Sequence, residues 1–117
     1  MPNLQLGKLG ESAVVRYIRQ QGGVVIARNI HYRCGELDIV AWWRGRLCFV
    51  EVKTRSQASD LLGGLEEAMT EAKAERFAAA AERFMQGVAS DIESECLVAL
   101  VWPMGNEKLK MKLISLE

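Results

Sequence analysis

Two apolar runs separated by a dipeptide constrain the fold of this chain more than any other feature. Residues 35–43 and 46–53 are both rich in β-branched, aromatic and aliphatic side chains, and Arg44-Gly45 lies between them. Gly45 can adopt the positive φ that a tight turn needs, so the pattern predicts a β-hairpin with a two-residue loop. In such a hairpin Trp43 pairs with Arg46.

This register places charge where strands are usually apolar. Counting back along both strands brings Asp38 opposite Glu51 and Glu36 opposite Lys53. Because side chains alternate between the two faces of a strand, all four are predicted to share one face of the hairpin. The opposite face is then apolar throughout, with Leu37, Ile39, Ala41, Cys48, Val50 and Val52.

Two carboxylates on neighbouring strands repel each other. At a Cβ separation of about 5 Å and an effective dielectric near 20, the repulsion is roughly 3 kcal/mol. A divalent cation such as Mg²⁺ or Mn²⁺ would remove it, since carboxylate oxygens suit hard ions. The alternative is an exposed strand edge with an ion pair between Glu51 and Lys53. Spacing alone leaves both interpretations open.

Composition favours an ordinary globular domain. The 117 residues are 50% hydrophobic and 26% charged, which predicts one domain over residues 1–117 with a substantial core. No apolar run reaches membrane-spanning length and no leader precedes one, so we expect a cytoplasmic protein without a membrane partner. One histidine, His31, and three scattered cysteines disfavour a zinc site or a disulfide framework and predict reduced, mostly buried thiols.

The charges are distributed unevenly although their sum is zero. Residues 1–55 contain nine basic and four acidic side chains, a balance of +5, and residues 56–117 contain six basic and eleven acidic ones, a balance of −5. The hairpin therefore lies in the basic half, as binding of a polyanion would require.

The remaining segments predict two helices and three strands around the hairpin. Their order is α-β-β-β-α-β-β, a mixed sheet flanked by two helices in an α/β or α+β arrangement. The predicted helices span residues 4–21 and 65–85, and the further strands span 24–28, 96–102 and 109–116, with a polar connection at 29–34 and a loop at 56–64.

Two glycines fall inside the first predicted helix. Gly7 and Gly10 each cost about 1 kcal/mol relative to alanine in a helix, so we expect another backbone to approach them closely. Glu11 would lie beside that approach, although a solvated helix glutamate is the simpler interpretation from spacing alone.

Five short motifs, which follow one another along the chain in a fixed order, resemble those of a known family. The chain resembles the YraN-like family of uncharacterised bacterial proteins, within the restriction-endonuclease-like superfamily of PD-(D/E)xK nucleases. The motifs are Gly7-Lys8-Leu9-Gly10-Glu11-Ser12-Ala13, Arg28-Asn29, Gly35-Glu36-Leu37-Asp38, Phe49-Val50-Glu51-Val52-Lys53-Thr54-Arg55 and Gly63-Gly64-Leu65-Glu66-Glu67-Ala68-Met69.

The resemblance implies a restriction-endonuclease-like αβββαβ core with an extra C-terminal strand. It also implies that Asp38, Glu51 and the Val52 backbone carbonyl hold Mg²⁺ or Mn²⁺, with Glu11 reaching the metal directly or through water. Lys53 would orient or deprotonate the attacking water. One departure concerns the last core strand, where Leu97 replaces an aspartate found in relatives.

Two functions follow as expectations. The first is metal-dependent hydrolysis of phosphodiester bonds in DNA, or less readily in RNA, with selection of structures such as junctions, flaps or ends. Arg28, Arg33 and Arg55 are candidates for phosphate contacts in that case. The alternative is a nucleic-acid-binding or partner-binding module that keeps the fold without turnover. A homodimer stays open, since many nucleases cut two strands as dimers.

Overall fold

The structure is a computed structural model that describes residues 3–56, 69–105 and 108–116. It confirms the predicted order of two helices and five strands. In chain order these are α1 (Asn3–Gln20), β1 (Val24–Tyr32), β2 (Gly35–Trp43), β3 (Arg46–Thr54), α2 (Glu71–Met85), β4 (Ser94–Met104) and β5 (Lys108–Ser115).

The five strands form one mixed sheet in the order β1-β2-β3-β4-β5. Only β3 and β4 are parallel, because α2 lies in the crossover between them, and the other neighbours pair antiparallel. The described part of the chain is therefore α/β with a mixed sheet and two helices, as the sequence predicts. The edges of the described sheet are β1 and β5. Three exposed lysines of β5, Lys108, Lys110 and Lys112, protect that edge from pairing with another chain.

Each helix covers one face of the sheet. On the α1 face, Val14, Val15 and Ile18 pack against side chains of the central strands that include Ile39 and Val50. On the α2 face, the buried side chains of Phe77, Ala80 and Ala81 pack against Leu37, Val40, Phe49, Val98 and Leu100. The central strands β2, β3 and β4 are thus covered on both sides, which explains their continuous apolar runs.

Several element boundaries differ from the prediction. The first strand continues to Tyr32, through residues predicted as a polar connection. The second helix begins at Glu71, after Thr70, whose hydroxyl accepts a hydrogen bond of 3.3 Å from the Lys73 N–H and caps the helix. Its predicted start at residues 65–68 lies outside the described residues, as does most of the predicted loop at 56–64.

Pro103 does not end its strand. Among the described residues, the pairing of β4 with β3 stops at Val101 and Pro103 has a partner only on the β5 side, where it lies opposite Leu109. A proline without an N–H is tolerated where one side of the strand is unpaired.

The two helix glycines behave differently. A Cβ on Gly10 would collide with the side chain of Thr54, so α1 approaches the end of β3 closely there, whereas a Cβ on Gly7 would meet no described residue within 4 Å. The close approach expected from another backbone is therefore made at Gly10 by a side chain, and none is found at Gly7 among the described residues.

Across the described residues, neither helix is long and apolar enough to cross a membrane. The three cysteines are free thiols: Cys48 is buried, Cys96 is half-buried and Cys34 is exposed.

Candidate active site at the open end of the hairpin

The hairpin has the predicted two-residue turn. Arg44 and Gly45 both adopt positive φ, 57° and 77°, which matches a type I′ turn and the twist of the strands. Trp43 pairs with Arg46 as predicted, and the ladder continues to the pair Ile39 and Val50. We refer to this paired region, residues 39–50, as the closed end.

Beyond that pair, β2 and β3 no longer pair through their backbones. The Leu47 N–H donates to the carbonyl of Glu93, directly before β4, and the Arg55 N–H donates to the Val101 carbonyl of β4, so the even-numbered residues of β3 face β2. The Val52 N–H accordingly points toward β2, and it donates to Asp38 Oδ2 at 2.8 Å. A carboxylate thus accepts the hydrogen bond that a β2 carbonyl accepts in a regular ladder. We refer to this region, from Glu36 to Asp38 and from Glu51 to Lys53, as the open end.

The side-chain alternation of β2 is interrupted at Asp38. Leu37 and Val40 both pack on the α2 face, while Ile39 packs on the α1 face. The prediction that Leu37 shares a face with Ile39 is therefore wrong. The predicted pair of Glu36 and Lys53 is also not formed, since Glu36 contacts His31 Nδ1 at 3.0 Å.

A matching irregularity in β1 explains this interruption. Ala27 and Ile30 both pack on the α2 face, and between them Asn29 has a left-handed φ of 53°. Asn29 lies between the pairs that join Arg28 to Ile39 and Ile30 to Leu37, which is the position opposite Asp38. Both strands thus shift their alternation at the same point, where Asp38 turns into a cleft beside α1.

The open end brings three charged side chains together. Lys53 Nζ lies 3.5 Å from Glu51 Oε1, and these side chains are only 20% and 17% exposed. Burial raises the pKa of Glu51 to about 7, and the charge of Asp38 and a hydrogen bond with it act in the same direction, while Lys53 opposes them. The predicted repulsion between Asp38 and Glu51 is therefore present, and one lysine does not offset it.

Glu11 faces the same cleft from α1. Together with Asp38, Glu51 and Lys53 it lines a cleft of about 710 Å³, which we call the α1-side cleft. Its carboxylate forms an ion pair of 3.3 Å with Arg28 and is 16% exposed. Among the described residues, no three His, Cys, Asp or Glu side chains are grouped closely enough to hold a metal ion by themselves.

The predicted phosphate-contacting arginines divide between two clefts. Arg28 and Arg55 line the α1-side cleft. Arg33 instead lines a cleft of about 380 Å³ between the β1–β2 turn and α2, which we call the α2-side cleft. Glu51 and Lys53 line both clefts, so the two meet at the open end.

Leu97 is a core residue of β4. It pairs with Val50 across β3 and β4 and is buried on the α1 face. A leucine at this position contributes to the core of the sheet.

Sequence reasoning missed three residues of this region. Asn29 has the left-handed backbone that lies opposite Asp38. Its place in the Arg28-Asn29 motif could have indicated that it belongs to the site. Lys73 and Arg76 on α2 line the α2-side cleft. They are spaced by three residues, which places them on one face of a helix, but their approach to Glu51 depends on how α2 packs.

The fold and this site define an α/β protein whose central hairpin opens into a cluster of carboxylates and a lysine. A sequence profile of the uncharacterised protein family UPF0102 matches residues 10–103. The chain belongs to this family, which is the YraN family, so the predicted family membership is confirmed.

Curated relatives agree with this assignment. A UPF0102 protein of Solibacter usitatus is 44% identical over 84 residues, which cover 68% of this chain and 61% of that relative. The chain therefore spans about three fifths of that relative's length. UPF0102 proteins of Chlorobium phaeobacteroides and Methylobacillus flagellatus are 38% and 42% identical, over 78% and 70% of this chain and 70% and 71% of their own lengths.

Proposed function

We propose that this protein is a divalent-metal-dependent phosphodiesterase that hydrolyses nucleic acid, with DNA the preferred substrate. One observation carries the proposal: the β2–β3 ladder ends where the carboxyl groups of Asp38 and Glu51 meet beside Lys53. A purely structural strand end has no need of two opposed carboxylates that destabilise each other. A site for a cation and a phosphate has such a need.

The donor chemistry of the open end fits Mg²⁺ or Mn²⁺. Mg²⁺ is typically held by one or two carboxylates, with water and substrate phosphate completing its six ligands. Asp38 and Glu51 supply the two carboxylates. In a strand the carbonyl of a residue points to the same side as its N–H, so the Val52 carbonyl faces the gap and is a further ligand. When bound, the ion supplies charge neutralisation and activation of water.

The side chains around these ligands have separate tasks. The Val52 N–H donates to Asp38 Oδ2 and so holds the Asp38 carboxyl beside Glu51, where a cation would replace the hydrogen bond between the two acids. The Lys53 ammonium is tethered to Glu51 and can orient the attacking water and donate to the phosphate oxygens as negative charge develops. Glu11, held by Arg28, faces the same cleft and can contact the hydration shell of the ion.

The family resemblance supports the same chemistry. An αβββαβ core with an acid on the second strand and a Glu-x-Lys on the third is the arrangement of PD-(D/E)xK nucleases. Asp38 lies on β2, and Glu51 and Lys53 lie on β3. The mixed sheet and the two flanking helices are compatible with that superfamily.

A binding module without turnover is the second candidate, and a specific observation favours it. Glu11 forms its ion pair with Arg28 instead of completing a group of three acids with Asp38 and Glu51. Trp42 is also 40% exposed on the hairpin and offers an aromatic surface to a partner.

Cleavage assays separate the two candidates. The protein would be incubated with Mg²⁺ or Mn²⁺ and with single-stranded, duplex, flap and four-way DNA, and with matched RNA. We expect metal-dependent cleavage that Asp38→Asn abolishes and that Glu75→Gln, an exposed acid of α2, leaves unchanged. Tight binding without cleavage under every condition would instead establish the binding module. Cleavage that survives Asp38→Asn would remove the proposed site.

A further inference from the structure

The α2-side cleft differs in charge from the carboxylate site that it adjoins. Its lining includes four basic side chains, Arg33, Lys53, Lys73 and Arg76, and two acidic ones, Glu36 and Glu51. Within the described residues both acids already have partners, since Glu36 contacts His31 and Glu51 contacts Lys53. The remaining positive charge therefore belongs to Arg33, Lys73 and Arg76, which form no ion pair with a carboxylate of the described residues.

These side chains occupy opposite walls of the cleft. Arg33 lies on the short connection between β1 and β2, and Lys73 and Arg76 lie one turn apart on α2. The two walls approach closely, because a Cβ on Gly35 would collide with the Arg76 backbone carbonyl. A narrow cleft with cations on both sides suits a chain of phosphates that runs between them.

The size and the remaining lining of the cleft favour one strand over two. A volume of about 380 Å³ is at the lower end of the range for small-molecule pockets and cannot admit a duplex. The half-buried aromatic ring of Tyr32 also lines the cleft, above the core residue Phe77. Basic side chains beside aromatic ones are the combination with which single strands are bound.

We propose that the α2-side cleft binds a single-stranded segment of the nucleic acid next to the bond that is cut. Arg33, Lys73 and Arg76 contact the phosphates of that segment. Because Glu51 and Lys53 line both clefts, a strand in the α2-side cleft leads directly to the carboxylates. This inference rests on the proposed function and names its substrate as DNA or RNA with an unpaired segment at the cleavage site.

Fluorescence anisotropy with a labelled single-stranded DNA, with Ca²⁺ in place of Mg²⁺, tests the cleft. The double variant Lys73→Ala and Arg76→Ala should fold, because alanine is the best helix former and the cap uses the Lys73 backbone N–H. The matched control is Lys110→Ala with Lys112→Ala, two exposed lysines of the edge strand β5.

We expect the α2 double variant to bind at least about tenfold more weakly and the β5 double variant to stay within about twofold of the wild type. The slope of log K against log salt should become shallower by about 1.4, since each phosphate contact to a single strand contributes about 0.7. Stabilisation of both variants by Mn²⁺ should equal that of the wild type. A fully paired duplex should lose less affinity than the single strand.

Three outcomes would overturn the inference. They are equal losses in the two double variants, an equal loss for the fully paired duplex, and an unchanged salt slope. Failure of the proposed function has a different signature. A wild type that binds the single strand through this cleft, but cleaves no substrate with Mg²⁺ or Mn²⁺, would refute turnover and leave the cleft as a binding site.

Discussion

The two ends of the β2–β3 hairpin share the same strands and differ in what holds them together. At the closed end, backbone pairs run from Trp43 and Arg46 to Ile39 and Val50, and most of the side chains are buried between two helices. At the open end, the ladder stops and a carboxylate of Asp38 accepts the next N–H.

This difference separates the part of the hairpin that supplies stability from the part that would carry out the proposed chemistry. Burial of apolar side chains stabilises the closed end, and the open end continues the same two strands. The electrostatic cost at Asp38 and Glu51 is then tolerated, because the stability comes from elsewhere in the same strands. Variants at the two ends should therefore change different properties.

The largest effect should come from truncation at the closed end. Phe49 is fully buried and makes an edge-on contact with Phe84 at 5.5 Å between ring centroids. Phe49→Ala should lower the free energy of unfolding by about 3–5 kcal/mol, as core truncations of this kind do, measured by urea denaturation. A loss below about 1 kcal/mol would mean that the closed end does not carry the stability.

The next effect should be on catalysis at the open end. Lys53→Met keeps the aliphatic volume and removes the charge, so cleavage should fall about 10²- to 10³-fold, as when a transition-state donor is lost. The free energy of unfolding should change little in comparison. Arg46→Met is the matched control, since Arg46 is a cation of the closed end that contacts Glu95 at 3.6 Å. Equal activity losses in both variants would refute a specific role for Lys53.

The third effect concerns pH in the metal-free protein. Glu51 has a pKa of about 7 when folded, against an ordinary value of 4.5. Between these values the folded state keeps a proton that the unfolded state has lost, so the free energy of unfolding falls as pH rises. Above pH 7 the loss reaches up to about 3 kcal/mol.

Glu51→Gln should remove this dependence. In the presence of a chelator, the variant should match the wild type near pH 4.5 and exceed its stability by up to about 3 kcal/mol at pH 8. Glu75→Gln should follow the wild type at every pH. A stability difference between Glu51→Gln and the wild type that stays constant with pH would show that Glu51 does not titrate in this range.

Sequence reasoning predicts the closed end well and the open end only in part. The turn residues fix the register from Trp43 and Arg46 onward, because a two-residue loop permits one pairing. The proximity of Asp38 to Glu51 follows from that register, although the contact is made by side chains and not across a ladder pair. The face predicted for Leu37 is wrong because the prediction assumed that side chains alternate along a regular strand. The strands are irregular at this point, where the left-handed residue Asn29 of β1 lies opposite Asp38.

Contacts between distant segments were harder to predict. The position of Glu11 beside Asp38 came from family resemblance alone, since a glutamate on a helix surface has no periodic signature of function. The α2-side cleft depends on how closely α2 packs on Gly35, which no local pattern of residues 70–85 reveals. The charge counts predicted that residues 1–55 would bind a polyanion. Lys73 and Arg76, which line the cleft proposed to bind a single strand, lie outside that half of the chain.

The smallest effect should test the irregularity that shapes the open end. Asn29 has a φ of 53°, a conformation that asparagine adopts more readily than most residues. Asn29→Ala should cost about 1 kcal/mol more than Asn29→Gly, because a Cβ is disfavoured there and glycine has none. Both variants would be compared by urea denaturation. Equal stabilities would mean that the backbone does not need the left-handed conformation at this position.

The closed end offers the matching comparison for that last variant. Arg44 has a similar φ of 57°, but its guanidinium lies 4.0 Å from the Trp43 ring centroid and 3.3 Å from Glu95. Arg44→Gly therefore removes contacts as well as strain and should destabilise the protein, whereas Asn29→Gly should be nearly neutral. Replacement by glycine at both positions would therefore distinguish their roles. Arg44 stabilises the turn through its side chain, whereas Asn29 is needed for its left-handed backbone opposite Asp38.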